Sequence, residues 1–357
     1  MMAGVGGIPF SVANKAGPQH ESLKHTDPFM SSDGRQVMEI VFFVALSGGI
    51  SIVGSIANVI NIIVFFKQGL SDSVNISLLG LATSDLGALL TLLWMSVCFN
   101  PLFRYSEIDF DSSEVQYLTA GWPHVCFARI TSWVTAFVTF ERCVCIAVPL
   151  KVATIITPKR TCVTVLSIYI FMFANAVPVF SSLRFVSSFR WEYNRSVYGL
   201  FYGDNVLEIE NRSFAVTVFA QLSSFIIVIV CTVVLIQHLL AKSQWRLRAT
   251  LSVKSAAQSS TSSRDKRVIK MVTFISCIFI CCFLPSTVNL VLMVHLSPDY
   301  SVVGRYQNSF EVSWSILNTI EAANSSVNIL VYYNMSSKFR AGLNQLCGCT
   351  KVTVKDI

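Results

Sequence analysis

Long, nearly unbroken runs of apolar residues dominate this chain, with short polar segments between them. Seven of the runs reach the roughly 20 residues that a helix rising about 1.5 Å per residue needs to cross a hydrocarbon core of about 30 Å. They lie near residues 39–66, 75–98, 117–147, 161–183, 213–241, 268–296 and 307–333. Strands of a membrane barrel alternate in segments of about ten residues, so continuous runs predict helices. One such run is compatible with a buried helix of a soluble core. Seven in succession, joined by short polar loops, point to a bilayer. The predicted fold is an all-α membrane protein, a seven-transmembrane-helix bundle over 39–333, with an outer tail at 1–38 and a cytoplasmic segment at 334–357. In that last segment Phe339, Leu343 and Leu346 share one helical face while Lys338 and Arg340 take the other, the pattern of a short amphipathic helix lying in the interface. Composition agrees. With 53% hydrophobic residues, 13% charged and 26 Phe in 357, the chain is too apolar for an ordinary soluble domain and excludes disorder, collagen or a disulfide scaffold.

Charge sets the orientation, because Lys and Arg resist translocation. With residue 1 outside, the inner segments hold sixteen Lys or Arg against three Asp, and the outer segments nine against thirteen acidic residues. The net +7 is thus a topology signature rather than a nucleic-acid footprint, since the cations are spread over short inner loops. A plasma-membrane, multi-pass protein with its N-terminus extracellular is expected. Residues 1–38 lack the succession of a signal peptide, so the first helix is expected to direct insertion. Five Asn-x-Ser sequons occur, and only Asn194 and Asn211 fall on the outer side, where they are glycosylation candidates. Of eleven Cys, only Cys98 and Cys126 lie toward the outer half; no metal-site spacing and no outer disulfide is evident.

Polar residues inside membrane helices are costly and therefore informative. The first helix carries Asn58, the second Ala82-Thr83-Ser84-Asp85, and the third ends Phe140-Glu141-Arg142-Cys143. The sixth contains Phe279 and then Cys282-Phe283-Leu284-Pro285; the seventh runs from Asn324 through Asn328 to Tyr332. In this order and spacing the chain resembles a rhodopsin-like (class A) G-protein-coupled receptor from residue 39 to 349, and the turn at Lys67-Gln68-Gly69 is similar in style to invertebrate, mollusc-like peptide or chemosensory receptors.

The resemblance implies roles residue by residue. Glu141 and Arg142 match the Asp-Arg-Tyr motif whose Arg meets the G-protein. Asp265, twenty residues before Pro285, matches the acidic half of a lock between the third and sixth helices. Arg142 at the inner edge needs an acidic partner, and Glu141 and Asp265 are the candidates. Phe279, Phe283 and Pro285, with Asn328 and Tyr332, occupy the family's switch positions, and Pro285 by itself predicts a kink. Asp85, with Asn58, Thr131, Asn324 and Asn328, matches a mid-membrane cluster that holds a sodium ion and waters; the alternative is a hydrogen-bonded polar core without an ion. Cys347 and Cys349 are palmitoylation candidates or else free thiols. The run Ser259 to Ser263 suits a kinase, with arrestin to follow, or is simply linker. Several positions depart from the pattern: Phe283 stands for Trp, Ile329 for the seventh-helix Pro, and Tyr117 for the outer disulfide Cys.

The implied ligand is an extracellular peptide or small chemosensory molecule. His124 stands where amine receptors carry Asp, which disfavours a monoamine, and the absence of Lys from 307–333 excludes retinal. Arg129, Glu311 and Glu321 fall in the outer half. Two readings stay open: a polar pocket with Arg129 toward a ligand carboxylate and Glu321 toward an ammonium, or Arg129 and Glu321 neutralising each other structurally. Trp133, Trp314 and Phe127 are assigned to packing. No internal repeat of broken helices supports a transporter, and no catalytic constellation supports an enzyme. A seven-helix protein that does not couple to G-proteins is the competing expectation.

Overall fold

The computed structural model describes residues 27–149, 151–190, 194–202, 205–250, 260–296, 299–301 and 304–346; within these, only the backbone is described at 153, 202, 207, 242–250 and 260–266. Seven long helices cross the structure: α1 (Ser32–Lys67), α2 (Ser73–Phe99), α3 (Ser112–Ala147) and α4 (Pro158–Ser182) come before an outer hairpin of β1 (Leu183–Arg190) and β2 (Arg195–Tyr202). Then come α5 (Val206–Thr250), α6 (Ser260–Leu296), α7 (Gln307–Met335) and a short α8 (Ser337–Leu346). Six of the seven long helices are apolar enough to cross a membrane by composition; α7 has the length, at 29 residues, but is interspersed with Asn, Ser and Glu.

Local chemistry explains the starts. Ser31 caps α1 by accepting from Gly34 N at 3.1 Å, Asp72 caps α2, and Thr157 followed by Pro158 opens α4. Asp111 accepts from Ser113 N and Glu114 N, so α3 begins five residues before the apolar run. The first helix likewise begins at Ser32 rather than 39, which brings the end of the supposed free tail into the bundle. Asp27 accepts from the backbone and hydroxyl of Ser309 at 2.7 and 3.0 Å, and Asn308 donates to Met30 O. These partners lie some 280 residues away, beyond the reach of local pattern. The stretches Glu39–Ser47 in α1 and Tyr117–Gly121 in α3 are π-helical.

In the bundle α3 is central, touching α2, α4, α5 and α6, while α7 closes against α1, α2 and α6. Close approach needs small residues: a Cβ on Gly54 would lie 2.0 Å from Ser326 Oγ on α7. The α8 helix matches its expected amphipathic pattern. Phe339 is buried against Phe65 and Tyr332, and Arg340 lies over the Tyr333 ring.

Candidate functional site

Three layers of polar side chains run down the bundle. At the inner end a cavity of about 750 Å³ is lined by Arg142, Tyr332, Asp72, Arg267, Met271 and Lys338 among others. Glu141 does not face it. Its buried carboxylate accepts from Ser77 on α2 and Thr161 on α4, both at 2.9 Å. The adjacency in sequence suggested a Glu141–Arg142 pair, but consecutive helical residues point about 100° apart, and among the described residues no ion pair within 4 Å joins them. Arg142 is thereby left pointing into the cavity. Ser77 and Thr161 were not singled out from sequence; a Ser facing a buried acid carries no local signal. Asp265 lies on α6, and its side chain is outside the described residues, as are Cys347, Cys349 and Ser259.

Above the cavity, Phe279 and Phe283 stack at 4.4 Å with planes 23° apart, and Phe225 lies 6.4 Å from Phe279. Pro285 follows within α6, where it cannot donate to the preceding turn. Tyr332 packs edge-on to Phe65 at 5.1 Å, its buried hydroxyl without a hydrogen bond among the described residues.

At mid-membrane Asp85 is fully buried and accepts from Thr131 Oγ1 at 3.0 Å and Asn328 Nδ2 at 2.8 Å. Thr131 also lies 2.9 Å from Ser84 Oγ. Asn58 reaches the cluster indirectly, donating to Ser325 O at 2.7 Å, and Asn61 donates to Asn58. Ser325 itself hydrogen-bonds Asp85, a contact that sequence reasoning missed. Asn324 is buried one turn before Asn328 on α7.

In the outer half, Glu321 accepts from Ser286 on α6 at 2.8 Å, and His124 Nε2 stands 3.5 Å from its other oxygen. Arg129 is buried nearby and in coulombic reach of Glu321, but among the described residues no ion pair within 4 Å joins them. Gln221 bridges α3 and α6, accepting from Ser132 and donating to Thr287, both at 3.2 Å. Glu311 does not join this group. Ten residues up α7, about 15 Å along the axis, it pairs with Arg35 on α1 and accepts from Gln307. Phe127 packs edge-on to Phe173 and Trp314 lies against Phe310, in keeping with their assignment to packing.

The hairpin sits over this layer on buried polar clamps. Glu114 accepts from Arg190 Nη2 at 2.6 Å and from Leu200 N at 2.7 Å, while Tyr117 donates to Glu210 at 2.6 Å. Cys98 and Cys126 are free and buried. Asn194 is exposed at the hairpin turn with φ 50°, whereas Asn211 is half-buried on α5.

Residues 46–350 match the family described as serpentine type 7TM GPCR chemoreceptor Srw. The chain is 21% identical over 342 residues to neuropeptide receptor 22 of Caenorhabditis elegans, covering 94% of this chain and 74% of that one. It is 24% identical over 307 residues to growth hormone secretagogue receptor type 1 of Homo sapiens, covering 83% and 78% respectively, and similarly to that of Mus musculus. A polar core threaded through seven helices, an inner cavity floored by Arg142, and a family match over most of its length lead to one conclusion: this chain belongs to the Srw family of serpentine seven-transmembrane chemoreceptors and is a multi-pass G-protein-coupled receptor for extracellular ligands.

Proposed function

We propose that this receptor follows the rhodopsin-like (class A) scheme, with its N-terminus outside the plasma membrane, and that it converts binding of a peptide or small chemosensory ligand into nucleotide exchange on an inner G-protein. The carrying observation is Arg142: it lines the inner cavity beside Arg267 and Lys338, while Glu141 is held off by Ser77 and Thr161. A cavity with three cations suits the acidic groups of a G-protein tail. The names of the matched relatives favour a peptide ligand and that of the family a chemosensory one. The nematode relative supports an invertebrate type of peptide receptor.

Transmission runs through packing. The Phe279–Phe283 stack lies next to Pro285, whose missing hydrogen bond lets the inner half of α6 swing while the outer half stays against α7. Asp265 is the acidic residue on α6 that restrains this swing, so Asp265→Ala raises basal signalling at equal surface expression. At mid-membrane Asp85, Thr131, Ser84 and Ser325 offer oxygens, with Asn328 Nδ2 donating to the second Asp85 oxygen; the oxygens fit a hard monovalent cation, and sodium held there would balance the Asp85 charge. Kinase, arrestin and acyl-chain contacts are assigned to the Ser259 to Ser263 run and to Cys347 and Cys349.

The test is nucleotide exchange on purified heterotrimeric G-protein by the full-length chain and by Arg142→Ala at matched receptor concentration. Exchange that is lost in the variant supports coupling through Arg142. Equal exchange by both overturns it, and exchange by neither moves weight to a seven-helix protein that does not couple.

A further inference from the structure

Several buried side chains in the outer half of the bundle make at least one polar contact, although Trp122, Trp133 and Trp314 leave their indole N–H, and His124 and Asn289 one nitrogen each, without a hydrogen bond among the described residues. Glu321 has Ser286 at 2.8 Å on one oxygen and His124 Nε2 at 3.5 Å from the other. His124 turns its second ring nitrogen toward the Ala88 carbonyl and Thr91 Oγ1, both at 3.3 Å. Gln221 is spanned by Ser132 and Thr287, and Asn289 accepts from the Tyr300 hydroxyl at 2.7 Å. Arg129 differs from these in carrying a permanent charge and leaving two donors unpaired. It is only 6% exposed, and its Nε and Nη1 make no hydrogen bond among the described residues. A guanidinium keeps its charge and carries five donors in one plane, and within a membrane such donors need acceptors. The one carboxylate in electrostatic reach, Glu321, is already engaged by α3 and α6 through other side chains.

We infer that the ligand of this receptor is an acid, which presents a carboxylate to the planar fork of Arg129. This rests on the receptor reading above and narrows it. The pairing of Glu321 with Ser286 and His124 removes the ammonium-binding half of a zwitterion site. Glu321 stays within coulombic reach of Arg129 but supplies no acceptor to its Nε and Nη1, so the fork itself is left for a ligand. The chemistry orders the ligand classes. A carboxylate meets the fork with two parallel N–H···O bonds. The amide of the same shape offers a single acceptor and turns its NH₂ against the guanidinium donors. An amine places a second cation beside Arg129.

The test uses purified full-length receptor and its thermal unfolding midpoint, titrated with 3-phenylpropionate and hexanoate, with their primary amides, and with hexylamine. The acids are expected to stabilise the receptor with affinities about ten- to a hundredfold above the amides, the range that a charge-assisted bidentate contact supplies. Arg129→Gln erases that preference, Arg129→Lys reduces it because a point charge does not replace the fork, and Glu321→Gln leaves the preference in place. Equal stabilisation by amides, a preference that survives Arg129→Gln, or no stabilisation by any acid overturns the inference. If neither Arg129 variant folds, the acid-against-amide comparison in the unaltered chain decides. G-protein exchange keeps the two readings apart: exchange with amides or amines preferred removes the acid class and leaves the receptor, whereas acid binding without exchange removes the receptor and leaves the site.

Discussion

The hairpin over the outer face of the bundle is held without sulfur, and Glu114 is the residue on which that arrangement turns. One carboxylate oxygen accepts from Arg190 on β1 at 2.6 Å and the other from the Leu200 amide on β2 at 2.7 Å, so a single side chain of α3 grips both strands. The two side chains are 8% and 13% exposed, which removes most solvent screening. Gly199 makes room: a Cβ there would lie 2.3 Å from Glu114 Oε2. Glu114→Ala strands a guanidinium and a backbone amide together. Breaking a buried pair from one side costs about 3–5 kcal/mol, but Arg190 sits on a hairpin and can turn toward water, so about 2–3 kcal/mol is the expected loss. At roughly 2 °C per kcal/mol for a chain of this size, the unfolding midpoint of the purified receptor falls by about 4–6 °C. Tyr117→Phe, which leaves the Glu210 carboxylate without its 2.6 Å donor, falls in the same direction by less. Dithiothreitol leaves the unaltered receptor unchanged, because the outer-half cysteines Cys98 and Cys126 are free. A drop in midpoint on reduction that equals the Glu114→Ala effect refutes the reasoning, and so does a Glu114→Ala midpoint within a degree of the parent.

Three further outcomes follow from the same geometry. Sodium chloride is expected to raise the receptor's unfolding midpoint above that in choline chloride at equal ionic strength, and Asp85→Asn removes the difference; a sodium effect that persists in the variant contradicts a cation at Asp85. Treatment with peptide N-glycosidase shifts the gel band of the chain and of Asn211→Gln but not of Asn194→Gln, since Asn194 is exposed at the hairpin turn and Asn211 half-buried on a helix. Burial alone raises the Asp27 carboxyl, but hydrogen bonds from Ser309, Phe29 and Met30 outweigh it and hold the group below its ordinary value of 3.8. Its contribution is therefore fully present above that value and is lost as pH falls through the lower folded one. The protection factor of the Ser309 amide is expected to hold at pH 6 and to fall as the pH drops below the ordinary carboxylate range. In Asp27→Asn it lacks that pH dependence.

The apolar runs made the seven crossings legible, because one property, length of continuous apolar chain, decides whether a helix spans. The ends were less so. The first turns of α1 and α3 are polar and are held by caps at Ser31 and Asp111 and by partners far along the chain, as Arg35 is by Glu311. The hairpin was invisible: Leu183–Arg190 has no period-two alternation, and its pairing with Arg195–Tyr202 is fixed from outside by backbone bonds between Tyr198 and the 109–111 segment and by Glu114. Among the polar residues, the types and depths could be read and the partners could not. Asp85 has Thr131 and Asn328 as hydrogen-bond donors, both on helices whose polar positions the sequence displays. Arg142 and Glu141 were associated because they are adjacent, yet a helix turns adjacent residues to different neighbours. Glu321 meets His124 and Ser286 directly, with Arg129 only in coulombic reach, because contact depends on rotation about each helix axis, which apolar length does not encode.

The composition of α7 brings these layers together. A helix facing lipid on one side cannot carry thirteen Asn, Ser, Thr and Glu residues unless most of them point inward, and α7 alone among the seven falls short in apolarity while keeping the length to cross. Its partnered positions explain the shortfall along the helix: half-buried Glu311 takes Arg35, Thr319 donates to Phe42 O, Glu321 takes Ser286, Ser325 and Asn328 take Asp85, and Tyr332 closes the inner end against Phe65 and Phe339. Every layer of the polar core thus has a member on one helix. The seventh-helix proline expected from the receptor pattern is replaced by Ile329, so α7 has no proline between the outer acid and the inner tyrosine. A displacement of the outer half of α7 therefore acts on an uninterrupted helix and reaches Asn328 and Tyr332 by rotation or sliding of the whole element rather than by bending at a kink. Introducing Ile329→Pro restores the bend and is expected to uncouple the two ends: ligand binding stays within about threefold, the scatter of an unperturbed site, while maximal G-protein exchange changes. A variant in which binding and exchange move together refutes transmission along α7.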